Sequence, residues 1–267
     1  METGRGASGT PCALCSSHMN VGMYKGAAAL TAYERWQDTI AQNLANVAVT
    51  GYRKNETSFS GVMADTTQLK KGDKVTQVSK GVMPLSARSF NMSPGSTTYT
   101  GVDTNFAAEG DGFFRIRKPD GTVAYTKNGN FRLNSEYNLV TQEGNLVEGD
   151  NGPITFRQEG GIISINTEGL LSQGKQQIGK LGLFRFNDSV KLHRIEGGYL
   201  VPAKDNPALA VERPAFQHKV LEASNVKPTE EMVNMISLGR AYDSAKKILD
   251  VADDAAGKAI QYLGGQA

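Results

Sequence analysis

The first helical pattern of the chain lies near the N-terminus. From about residue 21 to 47, apolar side chains recur in two interleaved seven-residue registers. These registers contain Met23, Leu30 and Leu44, and Tyr33, Ile40 and Val47. This a/d spacing predicts a helix with one face that packs along another helix. The helix is expected to end near Asn46, which tolerates a left-handed C-cap, or to continue to Thr50 with Gly51 as the cap.

A second and longer helical pattern runs from Pro228 to Leu263. Pro228 suits the first helical turn, where Glu230 and Glu231 complement the helix dipole. Apolar residues again occupy two interleaved seven-residue registers. The first contains Met235, Tyr242, Leu249, Ala256 and Leu263, and the second contains Leu238, Ala245, Ala252 and Ala259. A seam this regular predicts a paired helix, roughly 54 Å long at about 1.5 Å per residue.

Short strands and turns are predicted between the two helical segments. The dipeptides Asp120-Gly121 and Asn128-Gly129 are typical hairpin turns, and Glu143-Gly144 and Asp150-Asn151-Gly152 indicate further turns. Later strands are expected near 162–165, 181–186 and 199–201. Regular turns without intervening helices favour an all-β body, sandwich or barrel-like. The polar stretch near 63–101 is predicted to be an extended connector with one or two strands.

The predicted fold class is therefore α+β. The N- and C-terminal helices pair as a coiled-coil-like helical domain, and an all-β domain occupies the centre. The predicted boundaries are a flexible tail or cloning-derived extension at 1–18, a discontinuous helical assembly domain at 19–58 and 222–267, and a central β domain at 59–221.

The outer faces of the two helices carry apolar residues as well. Met232, Val233 and Ile236 make the start of the C-terminal helix apolar almost all round, and Trp36 flanks the N-terminal seam. Helices that are apolar on several sides are buried among several neighbours. We expect those neighbours to be other subunits, and a head-to-tail contact that does not close a ring generates a helical filament. The alternative is that the β body folds back over these residues.

Composition excludes several classes of function. The chain has 267 residues, 39% of them hydrophobic, and a formal net charge of +2. This balance gives no reason to expect nucleic acid or an anionic membrane as a partner. No apolar run reaches the ~18 residues of a membrane span, so no membrane insertion is expected. The first 18 residues also lack the apolar core of a secretory signal peptide.

Candidate chemistry is sparse. Cys12 and Cys15 form a C-x-x-C motif, but no βαβ pattern or second ligand pair accompanies it. His18, His193 and His218 stand at no metal or catalytic-triad spacing. The acidic turn at 109–112 lacks the ligand spacing of an EF-hand. The glycine pairs Gly160-Gly161 and Gly197-Gly198 lack the lysine of a phosphate-binding P-loop. We therefore predict no catalytic, cofactor-binding or metal-binding residue, and the expected protein is not an enzyme.

Three blocks of the sequence resemble the signatures of the bacterial flagellar basal-body rod and hook protein family. The blocks are NLAN and TGYR at 43–46 and 50–53; DGFF, AYTKNG and LVT at 111–114, 124–129 and 139–141; and LEASNV, EEMVNMI and RAY at 221–226, 230–236 and 240–242. Their order also matches, and the resemblance extends from about Met19 to Leu263.

The resemblance implies a structural subunit of the flagellar basal-body rod, exported by the flagellar type III export apparatus. Such subunits stack helically, with their terminal helices inside and the β domain outside, in a shaft that crosses the periplasm and transmits torque from motor to hook. The implied partners are further copies of the chain and other rod and hook proteins. The length favours a rod subunit over a hook subunit, and residues 19–24 and 224–228 favour the proximal rod type over the distal type.

The predicted assembly interface follows from the seams and their flanks. It comprises Leu30, Tyr33, Ile40, Leu44, Asn46, Met232, Met235, Leu238, Tyr242 and Leu249. Two other classes of function remain open at this point. One is a monomeric cell-envelope β-domain module that binds glycan or peptidoglycan and carries a helical stalk, and the other is an enzyme whose catalytic residues follow no recognised pattern.

Overall fold

A computed structural model describes residues 13–63, 66–71, 74–79, 82–158, 160–188 and 190–264. Over these residues the chain forms helix α1 (Ala13–Ala45), helix α2 (Pro228–Gly264), a short 3-10 turn (Glu196–Gly198) and 21 β-strands. The central part of the sequence is rich in antiparallel β-structure, and the fold class is α+β, as the sequence predicted.

The first eleven strands are β1 (Asn55–Met63), β2 (Thr66–Lys71), β3 (Lys74–Ser79), β4 (Val82–Phe90), β5 (Thr97–Tyr99), β6 (Phe106–Ala108), β7 (Phe113–Arg117), β8 (Val123–Thr126), β9 (Arg132–Leu133), β10 (Leu139–Val140) and β11 (Leu146–Gly149). The remaining ten are β12 (Gly152–Pro153), β13 (Ile163–Ile165), β14 (Leu170–Gln173), β15 (Gln176–Lys180), β16 (Leu183–Arg185), β17 (Leu192–Arg194), β18 (Leu200–Pro202), β19 (Leu209–Ala210), β20 (Phe216–His218) and β21 (Val220–Glu222).

Both predicted helices are present. Helix α1 ends at Ala45, and the N–H of Asn46 donates to the carbonyl oxygens of Gln42 and Asn43, both at 3.2 Å. The helix thus stops at the first of the two predicted ends, and Gly51, with φ of 68°, lies in the turn that follows. Residues 13–18, assigned to a tail from sequence, belong to α1, whereas residues 1–12 lie outside the described part of the chain. Helix α2 starts at Pro228, as predicted.

The chain divides into two compact units. The first contains the described parts of 1–38, 59–86 and 234–267, and therefore most of both helices and the β2–β3 hairpin. The second comprises 39–58 and 87–233, and therefore the end of α1, the start of α2 and strands β5 to β21.

A ten-stranded sheet forms the centre of the second unit. Its main path runs β17-β18-β8-β7-β11-β10-β9, with β12 on β11, β16 on β7 and β19 on β16, and all of its pairs are antiparallel. The predicted turn at Asp120-Gly121 joins β7 to β8, and Gly121 has φ of 83°. The turns at 143–144 and 150–152 are confirmed as well, between β10, β11 and β12. The three later strands predicted near 162, 181 and 199 correspond to β13, β16 and β18.

Two hydrophobic clusters enclose strand β7. Phe114 lies in the larger cluster, where its ring meets Phe131 edge-on with centroids 5.2 Å apart. The neighbouring residue Phe113 lies in the smaller cluster with Tyr125 and Leu200. Because successive strand residues point to opposite faces, β7 is buried on both sides of the sheet.

The predicted hairpin at Asn128-Gly129 is wrong. Strand β8 pairs with β7 and β18, while β9 pairs with β10, so no hairpin joins β8 to β9. Instead, the chain passes directly against β6, and the N–H of Phe106 donates to the carbonyl oxygen of Gly129 at 3.1 Å. A Cβ atom at Gly129 would overlap the carbonyl oxygen of Phe106. The glycine is required for close approach of two backbones rather than for a turn.

The stretch near 63–101 also differs from expectation. It contains β2, β3, β4 and β5, more than the one or two strands predicted for an extended connector. Strand β4 pairs with β1, β2 pairs with β3, and β5 pairs with β21. The sequence of this stretch is polar and shows little period-2 alternation, which is the pattern that identifies a strand from sequence.

We predict that Gly129→Ala lowers the free energy of unfolding of the β body by more than about 2 kcal/mol, because the backbone of β6 must move to admit a methyl group. Urea unfolding followed by aromatic fluorescence measures the change. Gly179→Ala is the matched control, since nothing lies within 4 Å of its added Cβ and its φ is not positive. An equally small effect of both changes would contradict the close approach.

Candidate functional site

The two helices contact each other within the first unit. A Cβ atom added at Gly26 of α1 would overlap the side chain of Leu249 in α2. Two turns further along α1, Glu34 Oε1 accepts a hydrogen bond from the hydroxyl of Tyr242 at 3.2 Å. The position on α2 decreases as the position on α1 increases, so the helices run antiparallel at these contacts.

The predicted interface residues differ in exposure. Ile40 and Leu238 are buried, and Met232 is exposed. The other seven are half-buried: Leu30, Tyr33, Leu44, Asn46, Met235, Tyr242 and Leu249. Half-burial at most seam positions indicates that the described chain covers only one side of each helix.

Helix α2 also presents large apolar side chains that the described residues leave open. Exposed fractions reach 70% for Ile248, 68% for Val251 and 82% for Tyr262, and Val233 and Ile236 are exposed as well. Scattered apolar surface is ordinary, whereas a row of large apolar side chains along one helix is a feature that needs an explanation.

A buried ionic cluster lies in the second unit and joins three distant parts of the sequence. Arg53 Nη1 lies 2.6 Å from Glu222 Oε1, and Lys127 Nζ lies 3.7 Å from Glu222 Oε2. All three side chains are at most 4% exposed. Lys127 Nζ also donates to the carbonyl oxygens of Gly110 and Gly112, at 2.6 and 2.8 Å. The cluster thereby fixes the segment after α1, the end of β8 and strand β21 relative to each other.

Backbone groups complete the environment of Glu222. The N–H of Gly95 donates to Glu222 Oε1 at 2.8 Å, and the N–H of Gly51 donates to the Glu222 carbonyl oxygen at 2.7 Å. A Cβ atom at Gly51 would lie 2.5 Å from the backbone of Lys127 and Asn128. Only glycine fits at this point, because its φ is positive and the neighbouring chain is too close.

A second polar network ties the two helix ends together. Asn43 near the end of α1 exchanges hydrogen bonds with the backbone of Asn55, through Nδ2 to the carbonyl at 3.0 Å and through Oδ1 from the N–H at 2.9 Å. The same Nδ2 donates to Glu231 Oε2 in the first turn of α2 at 3.3 Å. Glu231 Oε1 in turn lies 2.6 Å from Lys54 Nζ. Asn43 and Glu231 are both 1% exposed.

Two further side chains attach the 52–54 segment to its surroundings. The guanidinium of Arg194 lies 4.1 Å from the ring centroid of Tyr52 and donates through Nη2 to the Arg53 carbonyl oxygen at 2.8 Å. Asn225 Oδ1 accepts from the N–H of Lys54 at 2.7 Å, while its Nδ2 donates to the Asn91 carbonyl oxygen at 2.9 Å. We refer to the ionic cluster, the Asn43 network and these attachments together as the junction.

One residue of the junction, Lys127, has a strongly shifted pKa. Burial lowers the pKa of Lys127 to about 8, and the negative charge of Glu222 offsets part of that effect. The neighbouring Arg53 lowers the pKa of Lys127 further, while Asp111 raises it. The proton on Lys127 is therefore held less tightly than on an exposed lysine.

A cleft of about 330 Å³ borders the junction and includes Tyr52, Arg53, Lys127, Arg194 and Tyr199 in its lining. Burial and a hydrogen bond to Glu143 raise the pKa of Tyr199 to about 12. This tyrosine therefore stays protonated and serves as a structural donor. Among the described residues, no group of three or more histidine, cysteine or acidic side chains is arranged to hold a metal ion. Over the same part of the chain, no helix is long and apolar enough to cross a membrane.

The sequence did not predict the junction, although most of its residues lie in the three blocks that resemble the rod and hook protein family. Arg53, Lys127 and Glu222 are separated by up to 169 residues, and nothing in their local pattern pairs them. The one available signal was local: Glu222 is a charged residue that directly follows the apolar pair Val220 and Leu221. His193 and His218 lie in strands β17 and β20.

The fold and site define a class of protein: a structural subunit with a β body, a buried junction at its helix ends, and a helix α2 with a row of exposed apolar side chains. Comparison with known proteins agrees with this class. The profile of the flagellar hook protein FlgE/F/G D1 domain matches residues 107–173, and that of the flagellar basal body rod FlgEFG protein C-terminal region matches 217–262.

Relatives extend the match over most of the chain. A flagellar basal-body rod protein FlgF of Rhizobium meliloti is 32% identical over 92% of this chain and 99% of its own length. The FlgF protein of Caulobacter vibrioides is 33% identical over the same shares, and a FlgG protein of Buchnera aphidicola is 31% identical over 81% of this chain and 89% of its own. The chain belongs to the flagellar basal-body rod protein family. It is a structural, non-enzymatic protein of the flagellar basal body.

We predict that Glu222→Gln lowers the free energy of unfolding by roughly 3–5 kcal/mol, since it leaves two buried cations without a counter-charge. Denaturant unfolding measures the loss. Asp205→Asn is the control, because it removes the exposed pair with Lys191 and should have no measurable effect. Equal stability of the two variants would contradict a paired cluster.

The lowered pKa of Lys127 gives a pH dependence with a defined sign. Between about pH 8 and the ordinary value of 10.5, the unfolded chain holds more protons on this residue than the folded chain. The contribution of Lys127 to the free energy of unfolding should therefore increase as the pH rises through this window. Unfolding of the wild type and of Lys127→Met on both sides of about pH 8 tests this. The lowered pKa of Lys127 would be contradicted if the difference in free energy of unfolding between the wild type and Lys127→Met stayed constant as the pH rose. It would also be contradicted if the wild type lost stability relative to the variant.

Proposed function

We propose that the chain is a rod subunit that self-assembles helically through α1 and α2. Its helices pair along their apolar seams as a coiled-coil-like domain, and neighbouring copies cover the faces that remain. The observation that carries this proposal is the antiparallel contact of Gly26 with Leu249, combined with the exposure of Ile248, Val251 and Tyr262 on the same helix. A lone subunit would leave this apolar surface in water, and stacking would bury it.

The assembly domain is proposed to comprise 19–58 and 222–267, with 59–221 as the central β domain. Its proposed interface residues are Leu30, Tyr33, Ile40, Leu44, Asn46, Met232, Met235, Leu238, Tyr242 and Leu249. Half-burial at seven of these positions supports their role, because each already lies at a packing surface. All of the seven except Asn46 also have apolar side-chain area still to bury.

Family membership supports a wider setting for the subunit. We propose that the assembled shaft crosses the periplasm and transmits torque from motor to hook, and that the flagellar type III export apparatus delivers the subunits. The proposed partners are further copies of the chain and other rod and hook proteins. The proximal rod type is our preferred assignment; relatives named FlgF and relatives named FlgG both match at about the same identity.

The monomeric glycan-binding module with a helical stalk is not favoured. The three relatives above are named as flagellar basal-body rod proteins, and a stalk gives no reason for a row of exposed apolar side chains along α2.

We predict that Leu249→Asp abolishes assembly and leaves the β body folded, because it places a charge in the contact with Gly26. Sedimentation and electron microscopy over a concentration series measure assembly, and circular dichroism measures folding. Motility should also be lost in a flagellated cell that carries the change.

Gln261→Asp is the matched control for this test. It adds the same charge at an exposed position of α2 outside the seam registers and should leave assembly intact. Wild-type protein should form tubes as the concentration rises. Normal motility of the Leu249→Asp strain would contradict the proposed interface, and a wild-type chain that remains a monomer at all concentrations would favour the binding module.

A further inference from the structure

The junction has a property that assembly alone does not explain: it holds parts of both helices through buried polar side chains. Asn43 bonds to Asn55 and to Glu231, and Thr39 Oγ1 lies 2.9 Å from Thr57 Oγ1. Thr39, Ile40 and Asn43 are each at most 2% exposed. The last turns of α1 are thus fixed by side chains within the second unit, independently of any neighbouring subunit.

The first turn of α2 is fixed in the same way. Glu231 is 1% exposed and bonds to Asn43 and Lys54, while its N–H donates to the Lys227 carbonyl oxygen at 3.1 Å. Just before the helix, Asn225 holds Lys54 and Asn91 through its side chain. From Ser237 onward, Leu238 is the only fully buried residue of α2 among those whose side chains are described.

We propose that the junction is already folded in the lone subunit and serves as a preformed nucleus from which both helices extend. Forming a first helical turn is the costly step of helix formation, since it fixes several residues for one hydrogen bond. A turn held by buried side chains removes that cost, and further residues can then add to it one at a time.

The junction also brings together two chain ends that are far apart in sequence. Asn43 and Glu231 are separated by 188 residues. The entropy of closing such a loop is lost once, when the junction folds. Pairing of the remaining parts of α1 and α2 then requires no further long-range search. This consequence rests on the proposed function, in which the helices complete their pairing on assembly.

Amide hydrogen exchange of the full chain, kept dilute enough to be monomeric, tests the proposal. In the wild type, amides at 40–46 and 230–236 should exchange at least ~100-fold more slowly than those at 20–34 and 245–262. Asn43→Ala should speed exchange at 230–236 by about 10-fold or more, although that segment lies 188 residues away. Strands β7 and β11 should remain protected.

Glu231→Gln is the reciprocal variant and should speed exchange at 40–46. Gln37→Ala is the control, since it removes an exposed amide from α1 and should leave both segments unchanged. Helix ends that exchange as fast as the distal helices in the wild type would overturn the proposal, as would an Asn43→Ala effect confined to α1. If the wild type failed to polymerise but showed the expected exchange pattern, the proposed function would be overturned and the preformed nucleus would stand.

Discussion

The buried contact of Glu222 with Arg53 and Lys127 is the interaction on which the rest of the junction depends. Three charges in the interior are tolerable only if they are paired, so the three segments that carry them must meet in one arrangement. The cluster is not optimised for stability, because Arg53 Nε and Nη2 are buried without a hydrogen-bond partner among the described residues. The cluster instead fixes the positions of the three segments, because a misplaced segment would leave a buried charge without a partner.

This constraint gives a physical meaning to the three blocks by which the chain resembles its family. Arg53 belongs to the first block, Lys127 to the second and Glu222 to the third. The blocks are separate in sequence, yet they supply the members of one cluster, and Gly51 is present because no larger residue fits between them. A rod subunit built in this way has a buried polar cluster at its helix ends and apolar helix surface left for neighbours.

The local features were accessible from the sequence. Seven-residue apolar spacing predicted α1 and α2, and Pro228 predicted where α2 begins. Asp120-Gly121 predicted its hairpin correctly, since both the turn and its strands are local. Asn128-Gly129 has the same turn chemistry, yet there the glycine serves contact with β6. A dipeptide cannot distinguish a turn from a close approach, because the approaching backbone comes from another part of the chain.

By itself, the sequence determined the two helices, most of the turns, the β-rich centre and the family, because each depends on residues near one another along the chain. Only the tertiary structure decided which distant residues meet: Asn43 with Glu231 across 188 residues, and Arg53 with Glu222 across 169. Pairing at such separations depends on the register of intervening strands and on burial, and neither quantity is encoded in local spacing.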